Sequence, residues 1–184
     1  MDTLDSINRL TRQAYNLVAQ KYHDLFHNEM HEKEYDRKLL DSFAARFNND
    51  SLICDAGCGP SAHIGKYLFD KGIKIVGVDI SEECIELARL YNPKMKFECA
   101  DIASMPFVNN SFDGLISYYS IINTPKIYIS KIFSEFRRVL KPDGFLLVSV
   151  KSGTTEGYID DLLGIKTQTY FSLFIQEEIV NNFS

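Results

Sequence analysis

Short apolar runs alternate with amphipathic stretches from Ser51 onward, and this alternation restricts the fold more than any other feature of the chain. The stretches between the runs have the three-and-four spacing of apolar side chains that is typical of helices. Runs that are apolar on both faces are typical of a parallel sheet covered by helices. We therefore predict an α/β fold with a doubly wound, mostly parallel sheet and helices on both faces. The predicted strands are 52–54, 73–80, 95–100, 112–119 and 144–150.

The first 50 residues have a different pattern, which is polar, helical and interrupted by aromatic side chains. We predict an N-terminal helical lid or arm over 1–50 and an α/β core over 51–184. The core would carry an insertion around 152–174. The sequence KPDG at 141–144 predicts a turn before the last strand.

Composition excludes several classes of protein. The net charge of -5 and pI near 5.4 disfavour a nucleic-acid-binding surface, which needs clustered Lys and Arg. No apolar run approaches the roughly 20 residues that cross a bilayer, and the N-terminus lacks the apolar core of a signal peptide. No C-x-x-C pair occurs, so we predict no metal site and reduced thiols in a cytoplasmic protein. The four cysteines are Cys54, Cys58, Cys84 and Cys99.

A glycine-containing turn follows the first predicted strand in the sequence DAGCGPSAH, with glycines at Gly57 and Gly59. Ligands of open parallel sheets bind beyond the carboxyl ends of the strands, where glycine allows close approach to the backbone. Asp79 ends the second strand, a position from which a carboxylate accepts hydrogen bonds from ribose hydroxyls. Ile80 beside it would form one wall for an adenine ring. Because Gly57-x-Gly59-x-x-Ala62 also satisfies a dinucleotide pattern, NAD remains an alternative ligand.

Two further acids favour a cationic nucleoside over NAD. Asp55 stands two residues before Gly57, where a carboxylate would repel a pyrophosphate but attract the ammonium and sulfonium of S-adenosylmethionine. Asp101 follows the third strand, where it would accept a hydrogen bond from the amine of adenine. Each acid alone is better explained as a solvated loop residue or a helix cap. Their recurrence after three successive strands predicts one shared site.

Five segments together resemble class I S-adenosylmethionine-dependent methyltransferases of the small-molecule type: DAGCGPSAHIGKYL, GVDIS, CADIASMPF, SFDGLISYYSI and EFRRVLKPDGFLLVSV. The resemblance covers nearly all of the chain and implies a Rossmann-like sheet with S-adenosylmethionine as cofactor and S-adenosylhomocysteine as product. Ser61 replaces the third glycine of the family's turn. The resemblance implies that the methionine portion contacts Asp55, Gly57, Gly59 and Ser117, that Asp79 binds the ribose, that Asp101 and Ile102 bind the adenine, and that Tyr15 and Tyr22 close over the cofactor.

The final strand pair of the family is absent from these 184 residues, so we expect the strand at 145–150 to lie at an edge of the sheet. The segment 166–174 would cover that edge, or a second chain would, giving a homodimer. A shortened sequence is the third alternative.

The acceptor side is less clearly marked in the sequence. No residue has the context of a general base. His23, His27 and His31 share the i, i+4 spacing of one helix face, which a solvated surface explains, and His63 is interpreted as a helix-surface residue. Aromatic and polar residues after the fourth strand and in the insertion are candidates for the acceptor pocket. They are Tyr118, Tyr119, Asn123, Tyr158, Tyr170 and Phe171.

The leading hypothesis is an enzyme that transfers a methyl group from S-adenosylmethionine to a small molecule, with neither a membrane nor a nucleic acid as partner. The alternatives are a methyltransferase acting on RNA or protein, and a module that binds the nucleoside without catalysis.

Overall fold

A five-stranded parallel sheet lies at the centre of the computed structural model, which describes residues 3–183. Its strand order is β3-β2-β1-β4-β5, so β1 lies in the middle and pairs in parallel with both β2 and β4. This order confirms the predicted doubly wound sheet. The strands are β1 (Leu52–Ala56), β2 (Lys74–Asp79), β3 (Lys96–Cys99), β4 (Phe112–Tyr118) and β5 (Leu140–Ser149).

The sheet is apolar on both faces because alternate side chains of its inner strands enter two separate cores. Ile53 and Ile75 pack on one face, whereas Cys54 and Val76 pack on the other. The first core receives apolar side chains from α2, α3 and α4, and the second receives them from α5. These helices are α2 (Glu34–Ala44), α3 (His63–Phe69), α4 (Glu82–Tyr91) and α5 (Ile129–Val139).

The N-terminal segment forms α1 (Leu4–Phe26), a short 3-10 helix (Glu29–His31) and then α2. Thr3 caps α1, since its side-chain oxygen accepts a hydrogen bond from the backbone N–H of Ser6 at 3.2 Å. The helix packs against α4 and extends along the carboxyl ends of the strands. Because α1 ends at Phe26, the three histidines at i, i+4 spacing do not share one continuous helix.

The insertion forms a separate antiparallel hairpin of β6 (Glu156–Leu162) and β7 (Ile165–Ser172), followed by α6 (Gln176–Phe183). The segment 166–174 therefore pairs with β6 and packs against α1, and it does not pair along β5 as one alternative proposed. Only its end reaches the chain that follows β5, where Phe174 forms an isolated parallel bridge with Ser152. Within the described residues β5 is an edge strand of the main sheet.

The predicted turn at 141–144 is wrong as a separate element, because β5 continues through it. Phe112 pairs with Leu140, and the next pair joins Gly114 to Phe145. Four residues of β5, those at 141–144, thus lie opposite one residue of β4, Asp113, so KPDG is an irregularity within the strand and not a connection before it.

No helix in the described part of the chain has the length and apolar character needed to span a membrane. The four cysteines are free thiols, with Cys54, Cys58 and Cys84 buried and Cys99 exposed.

Candidate active site

The glycine turn after β1 adopts a conformation that only glycine fits well. Gly57 has φ +84° and Gly59 has φ +64°. The backbone N–H groups of Gly57 and Cys58 both donate to the carbonyl of Val78, at 2.7 and 2.9 Å, which anchors the turn to β2. A Cβ atom on Gly57 would lie 2.1 Å from the Cβ of Ser120. The turn is therefore held close to the end of β4.

The three predicted acids line one cavity at the carboxyl ends of β1, β2 and β3. Asp55, Asp79 and Asp101 all contribute to its wall, together with Gly57 and Gly59. Parallel strands end at the same edge of a sheet, so acids that are 22 to 24 residues apart in sequence become neighbours in space.

Backbone amides and one lid residue hold two of these carboxylates in place. Asp79 accepts hydrogen bonds from the N–H groups of Gly59 at 2.8 Å and Ser81 at 2.9 Å. Asp101 accepts from the N–H of Ala103 at 2.8 Å and from Nδ2 of Asn8 at 2.6 Å. Each oxygen keeps a further lone pair, so both carboxylates can accept from a ligand without losing their orientation.

Asp55 is the least compensated of the three acids. Its side chain is buried and accepts one hydrogen bond, from the N–H of Gly65 at 3.0 Å. Burial raises the pKa of Asp55 to about 6, against the lowering effects of His63 and Gly65, and the nearby Asp79 raises the pKa further. A bound cation would supply the positive counter-charge that this buried carboxylate lacks.

Helix α1 covers the cavity and makes polar contacts with the core. Tyr15 accepts a hydrogen bond from Nδ2 of Asn123 at 3.1 Å, and burial raises the pKa of Tyr15 to about 12. The ring of Tyr22 lies 4.0 Å from the position of a Cβ atom on Gly59. Both tyrosines line the cavity, so they lie over the turn and the end of β4.

His63 differs most from its interpretation as a surface residue. Its side chain is only 11% exposed and lines the cavity. Its Nε2 lies 2.7 Å from Oε1 of Glu29, and Oε2 of Glu29 lies 2.7 Å from Nζ of Lys33. Among the described residues, His63 Nδ1 is the one buried side-chain nitrogen or oxygen without a hydrogen-bond partner.

Four predicted site residues lie outside the cavity wall: Ser117, Tyr158, Tyr170 and Phe171, the last of which packs against the core that α5 covers. Ser117 is fully buried, and its hydroxyl lies 2.6 Å from that of Ser120, which does line the cavity. Tyr158 and Tyr170 pack on each other in the β6–β7 hairpin, with ring centroids 5.1 Å apart. The adjacent Thr169 is buried beside α1, so strand alternation turns Tyr170 towards the other face of the hairpin.

The remaining predicted residues line the cavity, and several lining residues were not predicted. The predicted ones are Ile80, Ile102, Tyr118, Tyr119 and Asn123. Asn8, Thr11 and Tyr15 have the spacing of residues on one helix face. Once Tyr15 is assigned to the site, this spacing predicts that Asn8 and Thr11 lie there too. The unpredicted residues are Asn8, Thr11, Glu29, Cys58, His63, Ile64, Ser120 and Thr124.

A second, more open cleft of about 620 Å³ lies behind His63 and is lined by all four histidines. His23 stacks on Tyr91 with ring centroids 3.7 Å apart and on His27 at 4.9 Å. Within residues 3–183 no group of His, Cys, Asp and Glu has the arrangement of a metal site.

The charged side chains that line the first cavity are mainly acidic. Its described lining holds four carboxylates, those of Glu29, Asp55, Asp79 and Asp101, and neither lysine nor arginine. Such a wall attracts cations and hydrogen-bond donors and repels phosphate. The cavity therefore suits a phosphate-free ligand that carries positive charge and hydroxyl or amine donors.

Comparison with known proteins gives a consistent result. A family model described as "Methyltransferase domain" matches residues 54–148, just over half of the chain. The 24-methylenesterol C-methyltransferase 3 of Arabidopsis thaliana is 30% identical over 164 residues, which cover 80% of this chain and 45% of that protein. The demethylmenaquinone methyltransferase of Renibacterium salmoninarum is 29% identical over 127 residues, covering 68% and 51%. The chain thus spans about half the length of these curated relatives.

Solved structures share the fold. A methyltransferase of Methanosarcina mazei described as SAM-dependent superimposes with a TM-score of 0.68 at 23% identity, covering 77% of this chain and 81% of that one. The 1,6-didemethyltoxoflavin-N1-methyltransferase of Burkholderia thailandensis, solved with 1,6-didemethyltoxoflavin and S-adenosylhomocysteine, gives 0.72 at 14% identity, covering 99% and 78%.

Proposed function

The chain belongs to the class I S-adenosylmethionine-dependent methyltransferases, and from this premise we propose that it transfers a methyl group from S-adenosylmethionine to a small-molecule acceptor. The observation that carries the proposal is the meeting of Asp55, Asp79 and Asp101 in one cavity whose described lining has no lysine or arginine. S-adenosylmethionine is a cationic nucleoside without phosphate, which matches this wall.

The residues present fit the cofactor on two structural grounds. The turn at Gly57 leaves no room for a side chain, so its backbone is open to close approach. The cavity wall also holds a buried, undercompensated carboxylate, Asp55, and the side chain of His63, whose Nδ1 is buried without a hydrogen-bond partner.

The proposed roles follow the order of the strands. Asp55, Gly57 and Gly59 hold the methionine portion, Asp79 with Ile80 holds the ribose, and Asp101 with Ile102 holds the adenine. The fixed carboxylates of Asp79 and Asp101 support these roles, since amides already orient their oxygens.

When bound, S-adenosylmethionine supplies a methyl group already activated by its sulfonium. The work left to the protein is to orient the acceptor and to exclude water, and oriented proximity lowers a barrier by roughly 7–11 kcal/mol. Helix α1 serves both purposes, because Tyr15 and Tyr22 cover the cavity. The bond between Tyr15 and Asn123 joins this lid to the end of β4.

A small acceptor is supported by the shape and charge of the site. The covering helix leaves a pocket whose acceptor candidates are Tyr118, Tyr119 and Asn123. The relatives' names specify sterols and demethylmenaquinone, which are small molecules. The net charge of -5 disfavours RNA as acceptor. Four unpaired thiols among the described residues support a reducing compartment, for which we propose the cytoplasm. Homodimer formation remains a prediction.

Radiolabelled methyl transfer tests the proposal. The protein is incubated with methyl-labelled S-adenosylmethionine in three parallel reactions. These contain a metabolite extract, bulk RNA or bulk protein from the same cells. Label in the small-molecule fraction is the expected result, and the Asp79→Ala variant is expected to lose it. Label mainly in RNA or protein would replace the proposed acceptor class. Cofactor binding without label in any fraction would favour the non-catalytic module.

A further inference from the structure

His63 lies where the amino-acid end of the proposed cofactor would lie. It begins α3, directly after the glycine turn, and shares the cavity wall with Asp55, Gly57 and Gly59. It also affects the titration of Asp55, whose pKa it lowers against the larger, raising effect of burial. The N–H of Gly65, two residues further along α3, donates to Asp55 at 3.0 Å, so the start of α3 that carries His63 lies against this carboxylate.

One nitrogen of the imidazole is fixed, and the other is unused. Glu29 lies 2.7 Å from Nε2, so this nitrogen carries a proton that it donates to the carboxylate. Lys33 contacts the other oxygen of Glu29. Burial opposes ionisation of Glu29, but the hydrogen bonds from His63 and Lys33 outweigh it and hold the pKa of Glu29 below its usual value. Glu29 is thus an anion that orients the ring, while Nδ1 has no partner.

The amino-acid end of S-adenosylmethionine carries two opposite charges, an ammonium and a carboxylate. The ammonium has an obvious partner in the buried Asp55. The carboxylate has no lysine or arginine to bind among the described lining residues, and His63 is the one side chain there that can carry a positive charge, in the form with a proton on each ring nitrogen.

We propose that His63, oriented by Glu29, donates a charge-assisted hydrogen bond from Nδ1 to the carboxylate of the cofactor's methionine portion. This assignment rests on the proposed function and adds to it a cofactor-binding residue, His63, and a positioning residue, Glu29. It pairs the two charges of the ligand with two side chains of opposite charge, Asp55 for the ammonium and His63 for the carboxylate.

Calorimetric titration with three ligands tests this pairing. They are S-adenosylhomocysteine, its analogue without the carboxylate and its analogue without the amino group. The His63→Ala variant should bind S-adenosylhomocysteine roughly 10- to 100-fold more weakly than wild type, the size of a lost charge-assisted hydrogen bond. It should lose a similar factor for the analogue without the amino group. For the analogue without the carboxylate, wild type and His63→Ala should have dissociation constants within about 3-fold of each other. The hydrogen bond from His63 to the carboxylate is then absent from both complexes.

Further variants distinguish this bond from a structural effect. The Asn side chain in His63→Asn keeps a neutral donor near the position of Nδ1, so its loss should be intermediate. Glu29→Gln should weaken binding of S-adenosylhomocysteine less than His63→Ala. The matched control is His31→Ala, an exposed histidine of the second cleft, which should bind as wild type. Binding of 5′-methylthioadenosine, which lacks the amino-acid end, should be alike in all variants, and thermal melting without ligand identifies the variants that are folded.

Two results would overturn the assignment while leaving the proposed function intact. One is unchanged affinity of His63→Ala for S-adenosylhomocysteine. The other is a loss that persists with the carboxylate-free analogue, which would mean that Nδ1 contacts the ammonium or that the variant distorts the cavity. Absence of binding by the wild-type protein to S-adenosylhomocysteine would instead refute the proposed function itself.

Discussion

Substituting Gly57 by alanine should destabilise the protein strongly, for two separable reasons. The φ of +84° is unfavourable for alanine and costs about 1–3 kcal/mol. The added Cβ would also lie 2.1 Å from Cβ of Ser120, and relieving such an overlap costs about 1–3 kcal/mol. We therefore expect Gly57→Ala to lower the free energy of unfolding by about 2–6 kcal/mol, measured by urea denaturation.

A double-mutant cycle separates the overlap from the backbone strain. Ser120→Gly removes the atom that the new Cβ would meet, and the nearest remaining atom of that residue, Cα, lies at an ordinary 3.4 Å. Adding Ser120→Gly to Gly57→Ala should therefore recover about 1–3 kcal/mol relative to the sum of the single changes. The matched control is Gly157→Ala, because a Cβ there meets nothing within 4 Å and the change should stay within about 0.5 kcal/mol. If Gly57→Ala behaves like this control, or the cycle shows no coupling, the close approach of the turn to β4 is refuted.

Three further predictions follow from the same site. Asp79→Ala should weaken binding of S-adenosylhomocysteine by about 1.5–3 kcal/mol in calorimetry, through loss of charge-assisted hydrogen bonds, whereas the exposed Asp143→Ala should not. The pKa of Asp55 is raised from 3.8 to about 6, so the stability that its neutral form contributes is complete below pH 3.8 and is lost as pH rises through 6. In urea denaturation without cofactor, the free energy of unfolding should fall by about 3 kcal/mol over this pH range, and Asp55→Asn should abolish the fall. If the free energy of unfolding of the variant depends on pH as that of wild type does, Asp55 is not the source of the pH dependence. Tyr15→Phe should cost about 1 kcal/mol of stability, because the buried amide of Asn123 loses its acceptor, and no change would mean that this bond is not formed.

The sequence predicted those parts of the site that follow from topology alone. Asp55, Asp79 and Asp101 each follow a strand of a parallel sheet, and the ends of such strands necessarily share one edge. The same reasoning located Gly57 and Gly59, because the turn continues directly from β1. Knowledge of local pattern and connection type was sufficient for these residues.

Several residues whose position depends on tertiary packing were not predicted. His63 enters the cavity wall because Ala62 adopts φ 44° before α3, and because Glu29 approaches from the segment after α1. Neither fact has a local signature. Tyr158 and Tyr170, by contrast, were predicted to line the pocket because they are aromatic, but they lie outside it. Composition does not specify which face of the β6–β7 hairpin packs inward.

The central claim is that the carboxylate-lined cavity selects a phosphate-free nucleoside with positive charge. Parallel calorimetric titrations of the wild-type protein with S-adenosylhomocysteine and with NAD test it most directly. We predict micromolar binding of S-adenosylhomocysteine and no measurable heat with NAD, whose pyrophosphate would face Asp55. Clear affinity for NAD, with none for S-adenosylhomocysteine, would contradict the claim.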